Sequence, residues 1–486
     1  MLARTVTHAL VGLEPRRVEV VADVQDAGSP AFAIVGLADR ACQEAKHRVR
    51  SGIEAAELTF PKHRITVNLA PADLRKEGSG FDLPIALAVL GATEQIPPRL
   101  LAGHAAVGEL ALDGRLRPVP GTLVAAEGAR RSGAEFLVCA AESGSEVALA
   151  GVKPVPVRHL REVYDYFKNS VQPPAPSALP VDAESSVPDL ADVRGQERAR
   201  RVLEIAAAGA HNLLFGGPPG IGKTMLARRL PGILPPLGHD QALEVTRIHS
   251  VAGLLPPGAG LVRVPPFRAP HHTSSAIAIV GGGAPPRPGE ASLAHHGVLL
   301  LDELPEFPRL VLESLRQPLE DGIISIARAV GRAVYPARFQ LVGTMNLCPC
   351  GGRGDARSGC RCTGQQLDRY RQRVSRALLD RFDVVVVLPR PRAAELAGAP
   401  EESSEVVRAR VVQARRLLAG RAYRRTTDAD DLLTGAVERL PLSGRGRARV
   451  ARVARTIAAL AGADAVDAGH VAEALSYRSP SELEAA

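Results

Sequence analysis

The chain has 486 residues, 45% of them hydrophobic, more than one packed core usually holds, and this predicts two or three domains. Its six cysteines, four of them between 348 and 362, exclude a disulfide-stapled secreted scaffold; the start Met1-Leu2-Ala3-Arg4 and the lack of any long uncharged run predict a cytoplasmic protein with no membrane span. The net charge of +8 suggests an anionic partner, although a modest excess also serves solubility.

Residues 1–168 alternate strand-like runs such as Arg64-Ile65-Thr66-Val67-Asn68-Leu69 with helix-like runs such as Pro84-Ile85-Ala86-Leu87-Ala88-Val89-Leu90, an α/β pattern. The Pro- and Ser-rich stretch 169–188 has neither period and reads as a linker. Within 189–390, the apolar run His211-Asn212-Leu213-Leu214-Phe215 suits a strand buried on both faces, and it leads into Gly217-Pro218-Pro219-Gly220-Ile221-Gly222-Lys223-Thr224. A nucleotide's phosphates need several backbone N–H groups converging on them, and Gly217, Gly220 and Gly222 let the chain curl without side chains intervening. Lys223 is placed to neutralise the β and γ phosphates and Thr224 to hold Mg²⁺, while the helix expected here adds its positive end. The order strand, loop, Lys-Thr, helix separates this segment from a chance glycine-rich turn. A second apolar run, Val298-Leu299-Leu300-Leu301, then delivers Asp302-Glu303. Asp302 is expected to bind Mg²⁺ through its water shell and Glu303 to polarise the water that attacks the γ phosphate, so the chain reads as an ATPase that uses ATP and Mg²⁺.

Residues 324–334 alternate on both sides of a turn, a hairpin pattern that carries Arg328 and Arg332. Cys348-Pro349-Cys350 and Cys360-Arg361-Cys362 could close a tetrahedral Zn²⁺ site, although one residue between paired ligands is closer than usual and free or redox-active thiols are the alternative. His271, His272, His295 and His296 read as hydrogen-bonding or loop residues, because no carboxylate or cysteine pattern accompanies them. From 391 to 486 the pattern is helical, over 404–420, 444–461 and 467–477, which predicts a helical lid domain.

The segments Phe267-Arg268-Ala269-Pro270-His271-His272-Thr273, Arg287-Pro288-Gly289-Glu290-Ala291-Ser292-Leu293-Ala294-His295 and Leu315-Arg316-Gln317-Pro318-Leu319-Glu320-Asp321-Gly322 closely resemble the magnesium-chelatase-like AAA+ ATPases of the YifB/ComM family. So does the first-domain run from Val67 through Lys76-Glu77-Gly78-Ser79-Gly80-Phe81-Asp82 to Pro84, and the match covers nearly the whole chain. The resemblance implies an α/β multidomain fold: a Lon-protease-C-like α/β domain, a P-loop AAA+ core with an insertion over 248–297, and the helical lid. It implies Asn346 as the sensor that orients the attacking water, Arg381 as an arginine finger reaching a neighbouring subunit's γ phosphate, and Arg445 as a second sensor contacting ATP from the lid; a surface role is the alternative for either arginine. A homo-oligomeric ring, six-membered by family expectation, follows. In related helicases the hairpin faces the central channel, which would set Arg328 and Arg332 against single-stranded or branched DNA; solubilising charge is the plainer reading. In the Lon-like domain the catalytic lysine's position is taken by Leu123 and Ser79 is out of register with the nucleophile, so no proteolysis is expected. The implied function is a DNA motor in branch migration or helicase work, during recombination or natural transformation. A metal-insertion motor like magnesium chelatase and a protein-remodelling or regulatory ATPase are the alternatives.

Overall fold

The computed structural model describes residues 1–25, 29–176, 187–284, 286–328, 331–355, 358–399, 401–439 and 443–478. A turn at Gly12, with φ of +64°, folds β1 (Leu2–Val11) back onto β2 (Glu14–Gln25) in an antiparallel ladder from Leu2↔Asp23 to Val11↔Glu14. β3 (Ala31–Val35), β4 (Arg64–Ala70), β5 (His104–Ala106), β6 (Phe136–Ala140) and β7 (Lys153–Val157) complete a mixed sheet in the order β3-β4-β2-β1-β5-β6-β7. The helix Asp82–Ala92 is buried along its whole length, as its nearly uninterrupted apolar sequence requires. Leu123 lies fully buried in the helix Thr122–Arg131, and Ser79 donates to the Glu109 carboxylate.

The second sheet is parallel throughout and gathers β8 (Leu213–Gly216), β9 (Phe267–Arg268), β10 (Val298–Leu301), β13 (Gln340–Met345) and β14 (Val384–Val387) in the order β9-β10-β13-β8-β14. β8, β10 and β13 are buried at every position, which is why their sequences lack a polar alternation. Alternation instead sorts two apolar faces. Leu213 and Phe215 join one cluster with Leu300, Val342 and Val384, while Leu214 joins another with Leu299, Leu301 and Leu341. From β8 the chain builds one side of the sheet and returns later to place β14 on the other, so the crevice beyond the carboxyl end of β8 is a topological switch point.

Between β10 and β13, the strands β11 (Ile323–Arg328) and β12 (Gly331–Pro336) pair antiparallel from Ile323↔Pro336 to Arg328↔Gly331. Ile324, Ile326, Ala333 and Tyr335 form the hairpin's buried face. After β14 come the helices Ser404–Gly420, Thr427–Arg439, Gly444–Leu460 and Ala468–Ser476. Their Val407, Val411, Leu433, Val453, Ile457 and Val471 enter the same apolar cluster as Leu213 and the helix Glu197–Gly209, so these helices share a core with the sheet. The stretch 248–297 begins inside a helix, His239–Ala252, and continues as loops, two-residue strands and short helices. That helix is also the seat of the first sheet's domain: Ser250 donates to Glu146 at 2.6 Å, Gly121 N–H to Ser250 O at 2.9 Å, and Arg247 pairs with Glu127 at 3.2 Å. Among the described residues no helix is long and apolar enough to cross a membrane.

Candidate functional site

The loop after β8 curls through three glycines in the left-handed half of φ space, Gly217 at +146°, Gly220 at +77° and Gly222 at +91°. At Gly217 the space is also closed, because a Cβ would come 2.6 Å from Leu388 O. The helix Lys223–Ala227 starts at the loop's end with Gly222 as its N-terminal cap residue, so its first N–H groups are left without intrahelical partners. Gln196, which no sequence motif singled out, braces the curl by donating from Nε2 to Ile221 O at 2.7 Å.

The apolar strands carry the polar groups into the same crevice. Lys223 Nζ donates to Gly217 O and Pro218 O, both at 2.8 Å, and to Asn346 Oδ1 at 3.0 Å. Burial pulls the Lys223 ammonium down to about 8, against the opposing pull of Asp302 and Glu303. Thr224 Oγ1 donates to Asp302 Oδ1 at 2.8 Å, and Thr344 Oγ1 donates to the same oxygen at 2.6 Å. The Thr344 hydroxyl also accepts from the Glu303 N–H at 3.0 Å. Glu303 holds φ of +56°, a left-handed conformation that a non-glycine residue adopts at a cost, and the Thr344 contact helps fix it there. Thr344 was missed by sequence reasoning because a threonine inside an apolar strand reads as ordinary β-branched filling. Lys223, Thr224, Asp302, Glu303 and Asn346 are thus brought together beyond the carboxyl ends of β8, β10 and β13, a donor set suited to polyphosphate and a hard cation.

Arg381 and Arg445 are placed elsewhere. The Arg381 carbonyl accepts from Asn212 Nδ2 at 2.9 Å, and Asn212 immediately precedes β8, so Arg381 sits at the amino end of the strand whose carboxyl end carries the phosphate loop. Four residues at about 3.3 Å each put roughly 13 Å of strand between the two ends. The Arg381 guanidinium, 7% exposed, is ion-paired with Glu320, and Arg445, 73% exposed, reaches the same carboxylate at 3.9 Å. Burial, with Arg445 and Arg316 nearby, lowers the Arg381 guanidinium from its usual value. Its Nε is buried without a hydrogen-bond partner. Around them opens a cavity of 630 Å³ lined by Asn212, Glu320, Gln340, Arg381, Arg449 and Arg452 among others. Arg445 therefore shares a surface with Arg381 rather than with Lys223 of its own chain.

The four cysteines converge. Sulfur separations are 3.4 Å for Cys348–Cys350, 3.7 Å for Cys350–Cys360 and 3.6 Å for Cys348–Cys360, and all four Sγ atoms lie within 4.8 Å of one another. None is in a disulfide. A zinc tetrahedron with Zn–S near 2.3 Å has edges of about 3.8 Å, so the donor set fits a thiophilic cation. Two backbone amides already point at sulfur, Gly352 N–H at Cys350 Sγ (3.4 Å) and Arg353 N–H at Cys348 Sγ (3.3 Å), the support that thiolate ligands receive. The amides of Gly352 and Arg361 pull the Cys350 thiol down to about 6. The shared sulfur contacts push Cys362 up to about 12, as expected when a proton held at one sulfur favours thiolate at its neighbour.

A carboxylate does accompany two of the histidines. Glu244 Oε2 accepts from His295 Nε2 at 2.9 Å and from His296 Nε2 at 2.8 Å. His295 Nδ1, however, accepts the Arg338 N–H at 3.0 Å, which places the ring's proton on Nε2 and leaves no lone pair there for a metal. The cluster is a hydrogen-bonded tie between the helix His239–Ala252 and the approach to β10, and His271 likewise bonds within its own loop, to Thr273 at 2.9 Å. In the hairpin, Arg332 is exposed and donates to Ser325 Oγ at 2.7 Å, while the side chain of Arg328 lies outside the described residues.

Residues 189–396 match the family described as Magnesium chelatase, subunit ChlI; residues 19–143 match Subunit ChlI of Mg-chelatase, and 401–478 match its C-terminal family. YifB of Salmonella typhimurium is 42% identical over 99% of this chain and 98% of its own length. A Mycobacterium tuberculosis protein is 43% identical over 98% of each chain, and Competence protein ComM of Haemophilus influenzae is 41% identical over 98% of this chain and 97% of its own.

Proposed function

Because the chain belongs to the magnesium-chelatase-like YifB/ComM family, we propose that it is a cytoplasmic AAA+ motor that assembles into a ring and spends ATP on branched or single-stranded DNA. The observation that carries the reading is the separation of one proposed catalytic set onto the two ends of one sheet's strands, with Lys223, Thr224, Asp302, Glu303 and Asn346 at the carboxyl ends and Arg381 with Arg445 toward the amino end. In the proposed ring, the amino-end arginines of one subunit would face the carboxyl-end pocket of the next.

Lys223 would exchange its carbonyl partners for the β and γ phosphate oxygens, a stronger pairing because both sides are charged. Thr224 and Asp302 would hold Mg²⁺, which neutralises charge on the transferring phosphoryl group. Glu303, set by Thr344, would take the proton of the attacking water, and Asn346 would orient that water. Arg381 and Arg445 of the neighbouring subunit would leave Glu320 for the γ phosphate. The chain divides in this reading into a Lon-like architectural domain (1–168), a linker (169–188), the ATPase core (189–390) and a helical lid (391–486). In the first of these Ser79 is held by Glu109 and Leu123 supplies no base, which supports a non-proteolytic role. Cys348, Cys350, Cys360 and Cys362 would hold Zn²⁺ as a structural cross-link.

DNA as the load is supported by the net charge of +8, by the exposed Arg332 on the hairpin and by the competence role in one relative's name. The deciding experiment is ATP hydrolysis with branched DNA, single strands, unfolded protein or a porphyrin-binding chelatase partner. Stimulation by branched DNA that disappears when Arg328 and Arg332 are both changed to Glu is expected. Stimulation by the chelatase partner or by unfolded protein alone would replace the DNA reading with metal insertion or remodelling.

A further inference from the structure

The cysteine loop is part of the wall of the phosphate site. It leaves β13 directly after Asn346, the residue that accepts from Lys223 at 3.0 Å. Gly351 and Gly354 take left-handed φ values of +78° and +80° and turn the loop back over the phosphate loop's two prolines. A Cβ on Gly351 would stand 3.0 Å from Pro219 Cδ and Cγ, and one on Gly354 would stand 3.8 Å from Pro218 Cδ and 2.8 Å from Leu347 Cδ1. The far side is tied by Asp355, 9% exposed, which accepts from Arg390 Nη2 at 2.8 Å. Arg390 lies just beyond Leu388, whose carbonyl crowds Gly217. The loop therefore touches the phosphate loop from above and joins the segment that backs it.

Among the described residues of 348–362 there is no helix or strand. A segment of this kind has little of its own to offset the entropy of being ordered, and here the converging sulfurs, with their amide donors, bring its beginning and end together, beside the Asp355 tie. We propose that a thiophilic divalent cation of the zinc class, held by Cys348, Cys350, Cys360 and Cys362, sets the conformation of the phosphate loop, so that metal and nucleotide bind cooperatively. This rests on the four-cysteine metal site proposed above. The coupling is reciprocal by thermodynamic necessity: if the metal raises nucleotide affinity by some factor, nucleotide raises metal retention by the same factor. Metal binding displaces thiol protons to solvent, so neither an oxidant nor a reductant is needed.

The test uses the full chain in excess Mg²⁺. Zinc per chain is measured first, then the Kd for a fluorescent ATP analogue before and after stripping with a zinc-selective chelator, and again after zinc is restored. We expect close to one zinc per chain, a loss of nucleotide affinity of about tenfold or more on stripping, and recovery on zinc addition. Zinc release into the chelator should slow when ATP is bound. A chain that neither carries nor takes up zinc overturns the metal site itself. A chain that carries zinc yet keeps its nucleotide Kd within about twofold after stripping overturns the coupling alone, as does a loss of affinity that zinc does not reverse.

Discussion

The two ends of the core sheet are built on opposite plans. At the carboxyl end, Lys223, Thr224, Asp302, Thr344 and Asn346 satisfy one another through short hydrogen bonds, so the phosphate-binding set is positioned before any ligand arrives. At the amino end, Arg381 and Arg445 converge on the single carboxylate of Glu320, beside a cavity of 630 Å³, and Arg381 keeps a buried Nε without a partner. Buried guanidinium donors are costly to leave unsatisfied. One end is closed on itself through its own hydrogen bonds, while the other carries two guanidinium groups on one carboxylate and so keeps positive charge in excess.

The largest expected effect comes from the amino end. Arg381→Ala removes nothing from the pocket of its own chain, so ATP affinity should stay within about twofold while kcat for ATP hydrolysis falls by about 10³ or more. A weakened Kd with normal kcat would place Arg381 in its own pocket's binding machinery. At the preorganised end, Glu303→Gln keeps the shape of the side chain and the Asp302 contacts but removes the proposed base, and turnover should fall by about 10² to 10⁴ with nucleotide binding retained. Single-turnover hydrolysis measured beside equilibrium binding separates the two outcomes.

Thr344→Val acts on the support of the carboxyl end alone. It preserves volume in β13 but deletes a donor to Asp302 and the acceptor for Glu303 N–H, so both magnesium-nucleotide affinity and turnover should drop by about tenfold. Wild-type values in this variant would show that Asp302 and Glu303 are placed by other means. The smallest effect is a pH dependence. With the Lys223 ammonium titrating near 8 in the free chain, and a polyphosphate favouring its charged form, nucleotide affinity should be flat below that pH and decline above it, by at most about tenfold per unit. Isothermal titration from pH 7 to 9.5 reads the slope, and Lys223→Arg should abolish it.

The preorganised end was largely legible in the sequence because its determinants are local. Three glycines, Lys223 and Thr224 follow one another behind an apolar strand, and Asp302-Glu303 closes a second apolar strand. Thr344 and Gln196 were not legible, since each acts through a partner that only the parallel pairing of strands or the approach of a helix brings near. At the amino end, the arginines could be named from resemblance, but their common carboxylate could not, because Glu320 meets Arg381 across a hairpin and a strand. The histidines show the same limit. A carboxylate does stand between His295 and His296, on a helix some fifty residues away, and it is the Arg338 amide at His295 Nδ1 that keeps the cluster from being a metal site. The seat of the first domain on Ser250 and Arg247 likewise joins residues far apart in the chain, and no local pattern announces it.

Mixed assembly tests the division between the two ends most directly. Arg381→Ala chains keep the pocket and lack the proposed finger, and Lys223→Ala chains keep Arg381 but have a damaged pocket, so each alone should hydrolyse ATP at background rate. Co-assembled in equal amounts, a random arrangement places an intact pocket against an intact finger at about a quarter of interfaces, and hydrolysis should return to a corresponding fraction of the wild-type rate. Background activity in assemblies shown to contain both chains would mean that Arg381 does not complete a neighbouring subunit's pocket.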